Sequence, residues 1–318
     1  FSKLSITFLQ KRKVAYFVSG SLLLISIFSL STNGLNQGVD FVGGRTYTVR
    51  FDNDVNQSEI QASLVEVLGN AEAKTFGSDN QLKITTNYKV DVEGIEVDDE
   101  IQQKMFNALK NKFPENLTYD EFVNGADNKI VGIMGSSKVG PTIADDIKKN
   151  SFLAIFGSLF VVFLYILLRF RDWQYSLGAV TAVFHDVLIV LGIFSLTYSF
   201  MPFSMEINQA FIAAVLTVIG YSLNDTVVVF DRIREFRLIN KSWEFKKTVN
   251  GALNSTLSRT LNTSFTTLVV LLAIFLFGGE SIRGFMFALI IGVIVGTYSS
   301  VFIATPVMFD TLRKSLKK

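Results

Sequence analysis

The chain has 318 residues, of which 49% are hydrophobic and 18% are charged, with a formal net charge of +2. This composition is too apolar for an ordinary soluble domain of this length. The sequence has no cysteine and one histidine, which excludes disulfides and thiolate metal sites and argues against zinc. We therefore expect no cofactor, no metal and no nucleic-acid partner.

Six long apolar runs predict six membrane-spanning helices. Each run approaches or exceeds the roughly 17 to 25 residues that a helix needs to cross the hydrocarbon layer. The first run could be a signal peptide, but no small-residue cleavage pattern follows it, so we interpret it as a retained anchor. The runs cover residues 14–30, 152–168, 177–200, 211–230, 261–277 and 285–308.

The basic residues predict the orientation of these spans, because connections rich in Lys and Arg tend to stay in the cytoplasm. Such residues precede the first span, separate the second from the third and the fourth from the fifth, and follow the sixth. Both termini are therefore expected in the cytoplasm, with residues 1–13 as an amphipathic segment and residues 309–318 as a tail. The segment 1–13 suits either an interfacial helix or a solvated loop, and so do residues 230–248.

Residues 31–150 then form an extracytoplasmic domain, and residues 151–308 hold spans two to six. The outer segment carries 19 acidic and 12 basic residues, a net charge of −7, which agrees with an acidic domain outside the membrane.

The patterns within this outer segment predict the order β-α-β-β-α-β. The run "RTYTVRF" alternates like a strand, and Ser58 is a candidate N-cap for the helix that follows it. Two further strands are expected on either side of a turn at 77–80, then a helix that stops near Pro114, then a strand over 128–134. This order predicts a small ferredoxin-like α+β domain.

Polar residues inside the predicted spans are the strongest functional signal. A charge at the centre of a membrane helix costs about 2.5–3.5 kcal/mol on insertion scales, so such residues usually face the bundle interior and serve a function. Asn224 and Asp225 lie in the fourth span, His185 and Asp186 in the third, and Arg259 just before the fifth.

The predicted orientation places Asp225, His185, Asp186 and Arg259 in the cytoplasmic half of the membrane, with Asp225 about 7.5 Å from the end of its span. The fifth span adds a polar stripe that can satisfy buried carboxylates or hold water. The stripe consists of Ser258, Thr260, Asn262, Thr263, Ser264, Thr266 and Thr267.

Two interpretations of this cluster stay open. Two carboxylates, an imidazole and a row of hydroxyls are the groups of a proton relay. Alternatively, Asp225 and Arg259 form a static ion pair and the hydroxyls allow close helix packing. For His185, a structural hydrogen bond to a neighbouring helix explains its presence as well as titration does.

Five motifs together resemble the SecF branch of the SecD/SecF family of bacterial protein export, which belongs to the resistance-nodulation-division superfamily. Their order and spacing match across nearly the whole chain. One position departs from many relatives, since Phe236 stands where they have asparagine. The motifs are "GVDFVGG" at 38–44, "KVGP" at 138–141, "HDV" at 185–187, "GYSLNDTVVVFDRIRE" at 220–235 and "LSRTLNTSFTTL" at 257–268.

The resemblance implies six spans, an outer domain between the first two, and no enzymatic activity. It implies an accessory subunit in the bacterial inner membrane that uses the proton-motive force, with SecD, to promote preprotein translocation through SecYEG. The expected partners also include YajC, YidC and membrane lipid. By motif, the family's essential carboxylate corresponds to Asp225 and its essential arginine to Arg259. SecD is expected either as a separate chain or fused upstream of Phe1, which is not a methionine.

Two other functions compete with this interpretation. A proton-driven exporter of small molecules or lipids from the same superfamily would share the membrane carboxylate, but such exporters usually carry larger outer domains with a ligand cleft. A passive assembly scaffold would leave the buried charges without a purpose.

Overall fold

The computed structural model describes residues 6–92, 95–125 and 131–315. Within these residues, six helices are long and apolar enough to cross a membrane, which confirms the predicted polytopic helical membrane protein. The sixth consists of two helices joined by a π-helical turn, Ser300–Ala304. The helices are α1 (Arg12–Thr32), α6 (Pro141–Phe170), α7 (Trp173–Thr197), α8 (Gln209–Ile239), α9 (Phe245–Phe277), α10 (Glu280–Ser299) and α11 (Thr305–Ser315).

A four-stranded antiparallel sheet lies between α1 and α6, with the strand order β2-β3-β1-β4. Two helices separate the strands in the order β-α-β-β-α-β, which confirms the ferredoxin-like prediction. The elements are α2 (Val39–Val42), β1 (Gly44–Arg50), α3 (Gln57–Leu68), β2 (Glu72–Phe76), β3 (Ser78–Thr86), α4 (Ile95–Leu109), α5 (Tyr119–Asn124) and β4 (Gly132–Val139).

This outer domain has a hydrophobic core of its own. The helices α3 and α4 cover one face of the sheet, and the rings of Phe51 and Phe113 stack there with centroids 5.1 Å apart. The core also contains Ile60, Leu64 and Ile84, all with no exposed surface. Because these apolar side chains pack on one another, the outer domain has a core separate from those of the membrane bundle.

Three local predictions for the outer domain differ from the structure. The N-cap of α3 is Asn56, whose side chain accepts from the backbone of Ser58 and Glu59. The predicted turn at 77–80 is shorter, since β3 begins at Ser78 and only Gly77, with φ of +89°, separates it from β2. The last strand begins at Gly132, and residues 128–130 of its predicted range lie outside the described residues.

Small residues set the close helix crossings of the membrane bundle. A Cβ atom on Gly192 would lie 2.1 Å from Ser26 Oγ of α1, and one on Gly292 would lie 2.0 Å from Val218 of α8. The helix α7 is central, whereas α6 and α9 are largely exposed. Packing over small residues is typical of membrane helices, because backbones can approach closely there.

The first described residues dock against α9. Leu9 N donates to Asn250 Oδ1 at 3.1 Å, and the backbone of Ile6 exchanges two hydrogen bonds with the side-chain amide of Asn254. Phe8 and Leu9 are buried, so residues 6–13 are not a solvated loop, whereas an interfacial position stays a prediction. Residues 1–5 lie outside the described part, as do 316–318 of the predicted tail.

Residues 230–248 are largely helical and do not form a solvated loop, and their position at the interface stays a prediction. The helix α8 continues to Ile239, and α9 begins at Phe245 after a short connection. At 1.5 Å per residue α8 is about 46 Å long. It is therefore longer than the roughly 30 Å of hydrocarbon that its apolar run needs to cross.

The segment 36–44 connects the outer sheet to the bundle and contains the first family-like motif. Gly38 N donates to Ile207 O at 2.9 Å, and Ile207 N donates to Asn36 O at 2.7 Å. Asp40 Oδ2 accepts from Gln209 N at 3.0 Å, at the start of α8. This segment is therefore fixed to the connection that leads from α7 into α8.

Candidate functional site in the membrane bundle

The pair His185 and Asp186 forms the best-connected polar cluster of the bundle. Asp186 is fully buried on α7, and its Oδ1 lies 2.9 Å from His185 Nδ1. Its Oδ2 accepts hydrogen bonds from Ser222 of α8 at 2.6 Å and from Ser299 of α10 at 2.7 Å. One carboxylate thus ties three helices together.

The environment of Asp225 is different. Its side chain lies on α8 and the residue is 5% exposed, yet Oδ2 is buried and makes no hydrogen bond with any residue that the structure describes. Ser264 of α9 lies beside this carboxylate, and Arg259 is its charged neighbour at longer range. Asp225 is therefore a buried carboxylate with one oxygen available for a proton or a new partner.

A hydroxyl pair next to Asp225 extends the polar layer to α10. Ser264 Oγ and Thr297 Oγ1 are 2.6 Å apart, and Thr297 also donates to Val293 O. A hydroxyl carries a single proton, so Ser264 donates either to Thr297 or to Asp225. This pair can change its hydrogen-bond direction when the charge of Asp225 changes.

The clusters around Asp186 and Asp225 are neighbours. Ser222, which donates to Asp186, lies three residues before Asp225 and hence on the same side of α8. Thr297 and Ser299 belong to one turn of α10, directly before the π-helical turn. Such a turn inside an α-helix frequently marks a functional site.

Arg259 and Asn224 do not join these clusters. Both residues are exposed, and among the described residues no ion pair within 4.0 Å links Arg259 to Asp225. The expected pairing of Arg259 with Asp225 stays a prediction.

The predicted polar stripe is divided between two sides of α9. Ser258 and Asn262 are exposed, whereas Thr260 is buried. Thr263 donates to the backbone of Arg259 and Thr260. Thr267 accepts from the hydroxyl of Tyr221 at 3.3 Å, which adds a contact between α8 and α9.

Apolar layers enclose the polar layer on both sides. Toward the outer domain, Phe194, Met205 and Phe211 belong to one buried cluster. Toward the opposite end, Phe170 and Phe230 belong to another. The polar layer therefore lies between two buried apolar clusters of the bundle.

Sequence reasoning missed Ser222, Ser299 and Thr297 as parts of the site. A lone serine in an apolar run carries no sign of its partner, since the partner depends on how helices cross. One weak sequence signal of polar contacts between helices exists in α1, where the serines at 19, 26 and 29 recur on one helical face and are buried. No three described His, Asp or Glu side chains converge as a metal ion would require.

Comparisons with known proteins agree with this architecture. Residues 121–314 match the family "Protein export membrane protein SecD/SecF, C-terminal", and residues 28–55 match the "SecD/SecF GG Motif". The chain belongs to the SecD/SecF family. It is therefore an accessory subunit of Sec protein export, and the exporter alternative is not favoured.

Relatives in the SecD/SecF family match nearly the whole chain. The protein translocase subunit SecF of Rhodothermus marinus is 46% identical over 98% of this chain and 94% of its own length. The protein of the same name from Vibrio alginolyticus is 38% identical over 95% and 88%.

Solved SecDF structures show the same fold. The crystal structure of SecDF from Thermus thermophilus, a translocon-associated membrane protein, matches 98% of this chain with a TM-score of 0.80 and 28% identity. SecDF in a super-membrane-facing form matches 95% with a TM-score of 0.62 and 29% identity. The chain spans 39% of the length of each.

Proposed function

We propose that this subunit works with SecD to couple the proton-motive force to preprotein translocation through SecYEG, and that Asp225 is the residue that takes up and releases the proton. The observation that carries this proposal is the buried oxygen of Asp225 without a hydrogen-bond partner among the described residues. A carboxylate that stays charged inside a membrane needs a polar partner on each oxygen, as Asp186 has.

The proton relay has a central and an auxiliary part in this proposal. Asp225 alternates between a protonated form and a charged form that pairs with Arg259, while Ser264 and Thr297 adjust their hydrogen bonds. His185 and Asp186 hold α7, α8 and α10 in register beside it. One charge that moves through 100 mV provides about 2.3 kcal/mol, which is enough to bias a conformational equilibrium. No covalent chemistry is needed.

The exposed polar side chains of α8 and α9 support SecD as the partner. Asn224, Arg259 and Asn262 are exposed at the same level as the buried carboxylates. Lipid tails cannot satisfy such groups, so residues of this kind face protein or a water-filled cavity. A second set of helices packed here would cover them and bring Arg259 toward Asp225.

We further place the protein in the bacterial inner membrane, with residues 1–13 and 309–318 on the cytoplasmic side and residues 31–150 outside. The positive charge at both ends and the acidic outer segment support this orientation. YajC, YidC and lipid are proposed as additional partners on the family resemblance alone.

Asp225→Asn tests the proton function. The amide keeps the size of the side chain but cannot titrate, so stimulation of export by a proton gradient should be lost in vesicles that also contain SecD and SecYEG. Proton uptake into the same vesicles should fall to the level without this subunit, while assembly with SecD stays intact.

Glu235→Gln is the matched control, because Glu235 lies on the same helix and its exposed carboxylate pairs with Arg232 near the helix end. Its export stimulation should match the parent protein. If Asp225→Asn retained gradient-dependent export, Asp225 would be structural and the proposal would be wrong.

A further inference from the structure

The outer domain is attached to the bundle through two adjacent glycine-containing linkers. Gly43 precedes β1, with φ of +72°, and Gly140 follows β4. Gly44 and Val139 are paired in the sheet, so both linkers leave it side by side. Two short connections that leave the same end of a sheet together are an arrangement that suits a hinge.

The segments beyond these linkers belong to the membrane bundle. Phe41 is buried among residues of α7 and α8, and α6 begins at Pro141 directly after Gly140. The outer domain, with its own core, is therefore a rigid body on one side of the hinge, and the bundle is the other.

A cleft separates the uncovered face of the sheet from the outer end of the bundle. Thr46 and Ser137 line it from the sheet, Ser204 lines it from the connection between α7 and α8, and Ser281 lines it from the start of α10. Phe76, Phe211 and Phe285 also line it, so opening this cleft would expose apolar as well as polar surface.

An ion pair bridges the cleft at a distance from the hinge. Lys83 Nζ of β3 lies 2.7 Å from Glu206 Oε2, and the Glu206 side chain is only 6% exposed. Glu206 stands three residues before Gln209, where α8 begins. A second hydrogen bond, from Asn36 Nδ2 to Glu72 Oε1 at 3.1 Å, supports the same closed arrangement.

We infer that the outer domain swings as one body about the linkers at Gly43 and Gly140, and that the Lys83–Glu206 pair is the clasp that holds it closed on the bundle. Since the clasp carboxylate lies on the connection into α8, a shift of that helix changes the clasp directly. The geometry of hinge and clasp does not depend on which residue takes up protons.

The rate of thiol labelling at Thr46→Cys tests the clasp, because Thr46 is buried in the closed cleft and the chain has no cysteine of its own. The full chain is purified with SecD in lipid nanodiscs and treated with a polar maleimide. Glu206→Gln and Lys83→Gln should each raise the labelling rate at least threefold, and the exchange Lys83→Glu with Glu206→Lys should return it toward the parent rate.

Two controls separate domain motion from unfolding. Glu59→Gln removes the Lys112–Glu59 ion pair, which lies within the outer domain, and should leave labelling at Thr46→Cys unchanged. A cysteine at Ala73, in the domain core, should stay slow to label in every clasp variant.

Unchanged labelling at Thr46→Cys in both single variants would overturn the clasp, and fast labelling at Ala73→Cys would show unfolding in place of a swing. Because labelling does not require export, this result is independent of the test on Asp225.

Discussion

Two buried carboxylates at neighbouring levels of the bundle have opposite hydrogen-bond environments. Asp186 accepts from two serines and contacts His185, whereas Asp225 keeps one oxygen without a partner among the described residues. Satisfied buried charges stabilise a single arrangement of helices, and unsatisfied ones are costly unless they change charge or partner. From this difference we propose that Asp186 supports the helix packing and that Asp225 carries the proton.

The glycines of the 38–44 motif differ in how closely other atoms pack against them. A Cβ atom on Gly44 would lie 2.6 Å from Thr86 O, and the φ of +138° disfavours other residues. A Cβ atom on Gly38 would meet its nearest atoms at an ordinary 3.4 Å.

Gly44→Ala should therefore weaken the pairing of β1 with β3 by roughly 1–3 kcal/mol, and Gly38→Ala should not. Hydrogen exchange of the β1 and β3 amides in the full chain measures this effect. Equal exchange in the two variants would mean that the backbone at Gly44 relaxes without cost.

At the level of elements, the crossing of α8 and α10 depends on Gly292 and Gly296, which lie against Val218 and Ser222. The same crossing brings Ser222 and Ser299 to Asp186. Close packing and the polar cluster are thus two consequences of one helix contact.

Gly292→Ala should overpack this crossing, because the new methyl group would meet the stiff side chain of Val218. We expect a loss of about 1–3 kcal/mol and a lower thermal midpoint of the purified protein in detergent. Adding Val218→Ala should recover most of the loss.

The matched control is Gly157→Ala on α6, where nothing lies within 4 Å of the added atom. It should leave the midpoint unchanged or slightly higher, since alanine favours helix more than glycine does. A similar loss in both alanine variants would contradict the packing argument.

The sequence predicted the six helices because a bilayer demands long apolar runs, and it predicted the outer strand order because alternation and turns are local signals. Helix ends were missed where helices continue beyond the membrane, as α8 does to Ile239. Asp225, His185 and Asp186 were predicted as buried, since charge in an apolar run is visible. The serines that bond Asp186 could not be predicted, because their partners depend on crossing angles.

For the whole molecule, orientation decides which side supplies protons. Cysteines at Asn107 and Ser281 should react with an impermeant maleimide from outside the cell, whereas cysteines at Ser242 and Arg313 should react only after the membrane is opened. All four positions are exposed in the structure, so a failure to react reports sidedness rather than burial. The reverse pattern would invert the orientation.

The π-helical turn at Ser300–Ala304 has a consequence for chain length. The backbone of a π-helix bonds to the carbonyl five residues earlier, so this turn contains one residue more than an α-helical turn. The side chain of Thr305 also donates to Ser300 O. Each residue rotates a helix by about 100°, and the extra one lets Ser299 point at Asp186 while Met308 and Phe309 still face the core at the other end. Removing a single residue here would force one half of the helix to turn its buried face outward, so relatives should tolerate substitutions in this turn better than deletions.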